Sequence, residues 1–141
     1  MNVQQLMTSA PVTITPGRSL REAAEIMASS DIGILPVQEN DRLVGMLSDR
    51  DIVVRGLAKG HGTEAPVRDA MTPAVRYCRE DDDIIDVASN LGDEQIRRLP
   101  VLDRDKRLVG MLSLGDIARH SNEETAGGAL RDVVEEARAT G

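Results

Sequence analysis

The chain is 141 residues long with a formal charge of −7, 40% hydrophobic and 29% charged residues, and Tyr77 as its single aromatic residue. That is the balance of an ordinary globular protein, and the acidic surface without stacking platforms excludes nucleic acid as an expected partner. One cysteine, Cys78, rules out an internal disulfide, and the longest apolar tract, Leu43–Leu47, is far short of the about 20 residues that span a bilayer. The opening Met1–Met7 also lacks the basic and apolar regions of a signal peptide, so no membrane is expected and the cytoplasm is the expected location.

In chain order, Val3 and Met7-Thr8 come first, followed by a β-prone run, Val12-Thr13-Ile14. Ser19-Leu20-Arg21-Glu22 has the form of a capping box, and Leu20, Ala23, Ala24 and Met27 follow at the spacing of one helical face. Two strands are expected around Ile34–Val37 and Leu43–Leu47, with a second helix starting at Ser48. Lys59–Pro66 reads as a linker or loop. Val67 and Met71-Thr72 then match the opening residues at an offset of 64. The same elements return: a strand at Val75-Arg76-Tyr77, a helix opening at Asp83 with Ile84, Val87, Ala88 and Leu91 on one face, strands at Leu99–Leu102 and Leu108–Leu112, and a helix from Ser113. A last short helix is expected over 129–138, after Gly127-Gly128.

The repeat is explicit at Arg42-Leu43-Val44-Gly45-Met46-Leu47-Ser48, which recurs letter for letter as Arg107-Leu108-Val109-Gly110-Met111-Leu112-Ser113. One residue is inserted within Asp103-Arg104-Asp105-Lys106, where a hairpin loop tolerates a length change. The expected organisation is 1–60 as repeat one, 61–66 as linker, 67–120 as repeat two and 121–141 as a tail. Each repeat reads β-α-β-β-α, giving an α+β fold. A three-stranded sheet of this size cannot bury both faces alone, so the two are expected to stack sheet to sheet about a pseudo-two-fold axis, with Leu20, Ala23, Met27, Ile84, Val87 and Leu91 buried.

Each third strand ends in Gly-Met-Leu-Ser-x-x-Asp: Gly45, Ser48 and Asp51, then Gly110, Ser113 and Asp116. A strand-end glycine allows close approach of backbone or ligand. A serine at a helix start suits phosphate, and an aspartate three residues on can accept from ribose hydroxyls. The same spacing is also that of a helix cap, and the two roles can coexist.

These residues carry a family resemblance. V-x-x-x-M-T at Val3–Thr8 and Val67–Thr72, the turns at Pro36 and Pro100, and G-h-h-S-x-x-D, each present twice and in the same order, resemble a tandem pair of CBS (cystathionine β-synthase) domains over Val3–His120. Asp31–Pro36, Ser48–Val54 and Asp116–His120 are similar to the small free-standing hypoxic response protein type. The resemblance implies phosphate contact at Ser48 and Ser113 and ribose contact at Asp51 and Asp116. It implies an adenine lining from Thr13, Ile14, Ile34 and Pro36 in one repeat, and from Tyr77, Cys78, Arg98 and Pro100 in the other. Arg50 is a possible further phosphate contact, and the acidic run Glu80–Asp83 is read as a solvated loop. The implied ligand is AMP, ADP, ATP or S-adenosylmethionine, no cofactor is required, and a homodimer burying helical faces is expected. Cys78, His61 and His120 are too scattered for a zinc site, and no nucleophile–base pair is present, so neither metal nor catalysis is expected. The alternative is a ligand-independent dimeric scaffold for protein interaction.

Overall fold

The computed structural model describes residues 1–73, 76–94 and 97–120, with side chains for all of these except 91–94 and 120. The strands are β1 (Thr8–Ser9), β2 (Ile34–Glu39), β3 (Arg42–Ser48), β4 (Cys78–Arg79), β5 (Arg98–Leu102) and β6 (Leu108–Ser113). The helices are α1 (Leu20–Ser30), α2 (Asp49–Asp51), α3 (Ile84–Glu94) and α4 (Leu114–His120). Two compact units result: Val12–Val75 forms one, and Met1–Pro11 joins the chain from Arg76 onward to form the other. Among the described residues no helix is long and apolar enough to cross a membrane.

In the unit Val12–Val75, α1 starts where Ser19 Oγ accepts from the Glu22 N–H at 3.1 Å. Only this half of the expected capping box forms, because the Arg18 guanidinium takes the Glu22 carboxylate at 2.7 Å. The helix buries Leu20, Ala23 and Met27, whereas Ala24, one position round, is exposed. It stops at Asp31, whose φ of 52° is the left-handed conformation of a C-terminal cap. The next two strands form a hairpin closed by Asn40 and Asp41 at φ 54° and 63°, the left-handed pair of a tight I′ turn. Of the expected strand Val12–Ile14 only a parallel bridge from Ile14 to Val37 is realised, between Pro11 and Pro16, which lack the N–H to extend a ladder.

The segment read as a linker is tied to α1. Leu20 N–H donates to Ala65 O at 2.9 Å and Arg21 N–H to Thr63 O at 3.0 Å, which occupies two donors that a helix start leaves unpaired. Beyond Ser48 the expected second helix is also irregular: α2 lasts three residues, then a π turn spans Ile52–Gly56 and a 3-10 turn Leu57–Lys59. Gly56 lies so near α1 that a Cβ on it would sit 2.9 Å from Leu20 Cδ1.

In the other unit the sheet order is β1-β6-β5-β4, with β4 parallel to β5 and the other pairs antiparallel. The expected strand at Val75–Tyr77 is displaced. Pairing starts at Cys78, which sits opposite Val101 and whose buried side chain joins the core, while Arg76 and Tyr77 are exposed and residue 75 lies outside the described residues. The inserted residue is absorbed by the Asp103–Lys106 loop, where the Asp103 carboxylate accepts from the N–H groups of Asp105 and Arg107 at 2.8 and 2.9 Å. In α3, Ile84, Val87 and Ala88 are buried with Val3, Leu99, Val101, Leu112 and Ile117. The side chain of Leu91 and the expected tail helix lie outside the described residues.

One device serves both units. Thr72 bridges Met46 on the edge of β3, as β1 pairs through Thr8 with Met111 of β6. The edge strand crosses directly over the strand-end glycine: a Cβ on Gly45 would lie 2.9 Å from Thr72 O and from Met71 Sδ, and one on Gly110 2.9 Å from Thr8 O and 2.5 Å from Met7 Sδ. The two glycines and the two Met-Thr pairs therefore belong to one packing arrangement, with backbone as the group that approaches.

Candidate functional site

Strand register brings the candidate residues together before any side chain is considered. Ile34 pairs with Ser48 and Pro36 with Met46 in one unit; Arg98 pairs with Ser113 and Pro100 with Met111 in the other. Each Ser-x-x-Asp sits where the hairpin ends and a helix begins, anchored by equivalent bonds: Asp49 N–H to Gly33 O at 2.9 Å, and Leu114 N–H to Arg97 O at 3.0 Å.

Both corners are reciprocal caps. Ser48 N–H donates to Asp51 Oδ2 at 2.9 Å, and Asp51 N–H donates back to Ser48 Oγ at 3.0 Å. At the second corner the corresponding distances are 3.0 Å for Ser113 N–H to Asp116 Oδ2 and 3.1 Å for the return. Capping and ligand binding remain compatible in this geometry. A serine oxygen that accepts a cap bond still carries its own O–H proton to donate, and a carboxylate with one oxygen engaged has a second acceptor to offer.

The corners differ in their surroundings. Asp116 is 8% exposed, and its Oδ1 is held by Nη2 of Arg119, one helical turn away. The position of Arg119 is taken by exposed Val54 in the first repeat, and that of Arg98 by half-buried Ile34. Arg50 is exposed, its N–H bonded to Asp49 Oδ1 at 2.8 Å. Arg55 donates to Thr72 Oγ1 at 2.8 Å. A cavity of about 260 Å³ opens at the second corner, lined by Thr8, Arg98, Met111, Ser113, Asp116 and Arg119 among others. Sequence reasoning missed Thr8 and Arg119 as lining residues. The recurrence of Met-Thr and the i, i+3 spacing of Asp116 and Arg119 were the signals available for them.

Other candidates stand apart from this cavity. Cys78 is buried, its Sγ 3.9 Å from Pro100 O; burial, with the nearby negative charge of Asp82, pushes its thiol up to about 12. Tyr77 is exposed, Pro36 and Pro100 are buried, and Thr13 Oγ1 accepts from Gln38 Nε2 at 3.3 Å. In the acidic run, Asp82 accepts from Arg79 N–H at 2.9 Å and Asp83 from Ile85 N–H at 2.8 Å, so these two carboxylates shape the turn into α3.

Comparison with known proteins bears on the same residues. The CBS domain family model matches residues 3–57 and 67–123. The chain is 35% identical over 133 residues to the CBS domain-containing protein YhcV of Bacillus subtilis, covering 94% of each. It is 35% identical over 122 residues to Hypoxic response protein 1 of Mycobacterium tuberculosis, covering 85% of each. A crystal structure of Hypoxic Response Protein I with two coordinated zinc ions superposes with a TM-score of 0.78 at 34% identity, covering 86% of this chain and all of that one. Among the described residues of this chain, no three His, Cys, Asp or Glu side chains gather as metal ligands. CBSX2 in complex with AMP matches with a TM-score of 0.75 at 30% identity, over 84% of this chain and 93% of that one. The CBS domain pair of MJ0100, in complex with 5-methylthioadenosine and S-adenosyl-L-methionine, matches with 0.73 at 30%, over 84% and 94%. With two repeats matched in register and the same corner built twice, the chain belongs to the CBS domain family as a tandem pair.

Proposed function

We propose that this protein is a non-catalytic sensor that binds an adenine nucleotide or S-adenosylmethionine at its Ser-x-x-Asp corners. The observation that carries the reading is the second acceptor oxygen of Asp51. Its Oδ2 is used by the cap, while Oδ1 has no bond to a described residue and is available to ribose hydroxyls. Support also comes from CBSX2 and MJ0100, which hold AMP, 5-methylthioadenosine and S-adenosylmethionine. In this reading Ser48 and Ser113 donate to phosphate and Asp51 and Asp116 accept from ribose. Arg50 faces solvent near the phosphate, and the strand segments at Thr13-Ile14, Ile34–Pro36, Tyr77-Cys78 and Arg98–Pro100 flank the base. Cys78 takes part through its backbone only, because its side chain is in the core. The domain division at 1–60, 61–66 and 67–120, a cytoplasmic location and a homodimer belong to the same proposal. Ligand binding shifts the equilibrium of this assembly rather than driving chemistry.

Asp51→Asn tests the corner. The amide oxygen can still accept from Ser48 N–H, so the cap survives, while the charge-assisted bonds to ribose are lost. Affinity for AMP is expected to fall about tenfold or more, with the ligand-free melting temperature unchanged within a few degrees. Calorimetric titration of both proteins reads the change, and light scattering on the same samples reads the dimer as about twice the 15.3 kDa chain. Equal affinities would remove Asp51 from the site.

A further inference from the structure

The cavity at the second corner carries two arginines in its walls. Arg98 reaches it because β5 pairs Arg98 with Ser113, and Arg119 reaches it from one turn along α4. Against these two guanidinium groups stands a single carboxylate, Asp116, so the lining is net cationic in a chain whose overall charge is −7. Thr8 and Ser113 add hydroxyl groups beside them. At about 260 Å³ the space is smaller than the roughly 300–1,000 Å³ of a site enclosing a whole small molecule, and it suits one polar end of a ligand. Arg119 itself is 65% exposed on its side chain while Asp116 is buried, so the pair keeps its carboxylate inside and its guanidinium at the mouth of the cavity, where an entering anion meets it first.

We infer that this cavity selects an adenine ligand by its phosphate, with Arg98 and Arg119 as the specificity-determining residues, so that it takes AMP, ADP or ATP and rejects the cationic sulfonium of S-adenosylmethionine and the uncharged tail of adenosine. Arg119 passes from Asp116 Oδ1 to a phosphate oxygen as ribose hydroxyls take over the carboxylate. A planar guanidinium binds phosphate through two parallel N–H bonds, and two of them face the same volume. The first repeat has Ile34 and Val54 at these two positions and a different arginine, Arg55, beside its Thr72, so the assignment of Arg98 and Arg119 is made for the second repeat alone.

This inference rests on the adenine-ligand reading, and its test separates the two. AMP, ADP, adenosine and S-adenosylmethionine are titrated calorimetrically into full-length protein carrying Ser48→Ala and Asp51→Asn, so that the second corner dominates the signal. AMP and ADP are expected to bind at least about tenfold more tightly than adenosine or S-adenosylmethionine. In the same background Arg98→Gln with Arg119→Gln is expected to bring that ratio within about threefold, while Arg98→Lys with Arg119→Lys keeps most of it. If the glutamine pair melts early, the parent ratio and the lysine pair decide. AMP and adenosine binding alike in the parent, or a ratio unchanged in the glutamine pair, overturns phosphate selection and leaves adenine binding standing. Failure of every adenine compound to bind at millimolar concentration overturns both.

Discussion

Cys78 shows how one position on a strand can look like a site residue and serve the core instead. Its neighbours in the sequence place it beside the expected base, but the register that pairs it with Val101 turns its side chain inward, 5% exposed among Val87, Leu99 and Leu112. Burial foremost, and then the charge of Asp82, raises its thiol from 9.0 to about 12. Because the folded value is the higher one, the thiol's contribution to stability is intact below pH 9 and is lost as pH rises from 9 toward 12, where only the unfolded chain ionises. Urea denaturation between pH 9 and 11 should therefore show the wild type losing stability more steeply than Cys78→Ala, by at most about 1.4 kcal/mol per pH unit. The native thiol should also react far more slowly with iodoacetamide at pH 8 than the urea-unfolded chain. Identical slopes in the two proteins would mean the thiol is hydrated. The reciprocal caps of the two Ser-x-x-Asp pairs, by contrast, were legible from spacing alone, because both residues sit within one turn of the same helix start.

At the scale of elements, the close crossing of edge strand and strand-end glycine is the feature most exposed to a single substitution. Gly110→Ala would push a methyl group against Thr8 O, which is backbone and cannot swing away, as well as against the flexible Met7 side chain. The expected cost is roughly 1–3 kcal/mol of unfolding free energy, measured by urea denaturation. A neutral result would mean that the β1 edge is not held against β6. Period and spacing made α1, α3, α4, both hairpins and the place of the insertion legible. They could not show that the helix after Ser48 would widen into a π turn at Ile52–Gly56, since that depends on how closely Gly56 meets Leu20 across the fold. The first strands were misplaced for a similar reason: β-prone residues at Val12–Ile14 lie between prolines, and pairing partners, not propensity, set the start of β4 at Cys78.

For the whole molecule, the repeat gave equivalence between copies without giving partnership. Val3–Thr8 and Val67–Thr72 are interchangeable by pattern, yet Met1–Pro11 completes the unit that begins at Arg76, and Val67–Thr72 completes the unit Val12–Val75. A sequence period identifies which segments are alike and not which unit each of them completes. Of the residues lining the cavity at the second corner, Ser113 and Asp116 were named from the motif and Arg98 through the family resemblance; Thr8 was not named, because it arrives there from the far end of the chain. The central claim, that this CBS pair binds an adenine ligand, is tested most directly by the melting temperature of the unmodified chain with AMP, ADP, ATP, S-adenosylmethionine, GMP or NAD. A ligand confined to the native state at about 100 times its dissociation constant adds about 2.7 kcal/mol, which at this chain length raises the melting temperature by roughly ten degrees. A rise with one or more of the adenosine phosphates or S-adenosylmethionine and none with GMP is the predicted result, and a melting temperature unmoved by any adenine compound at millimolar concentration would contradict it in favour of a ligand-independent scaffold.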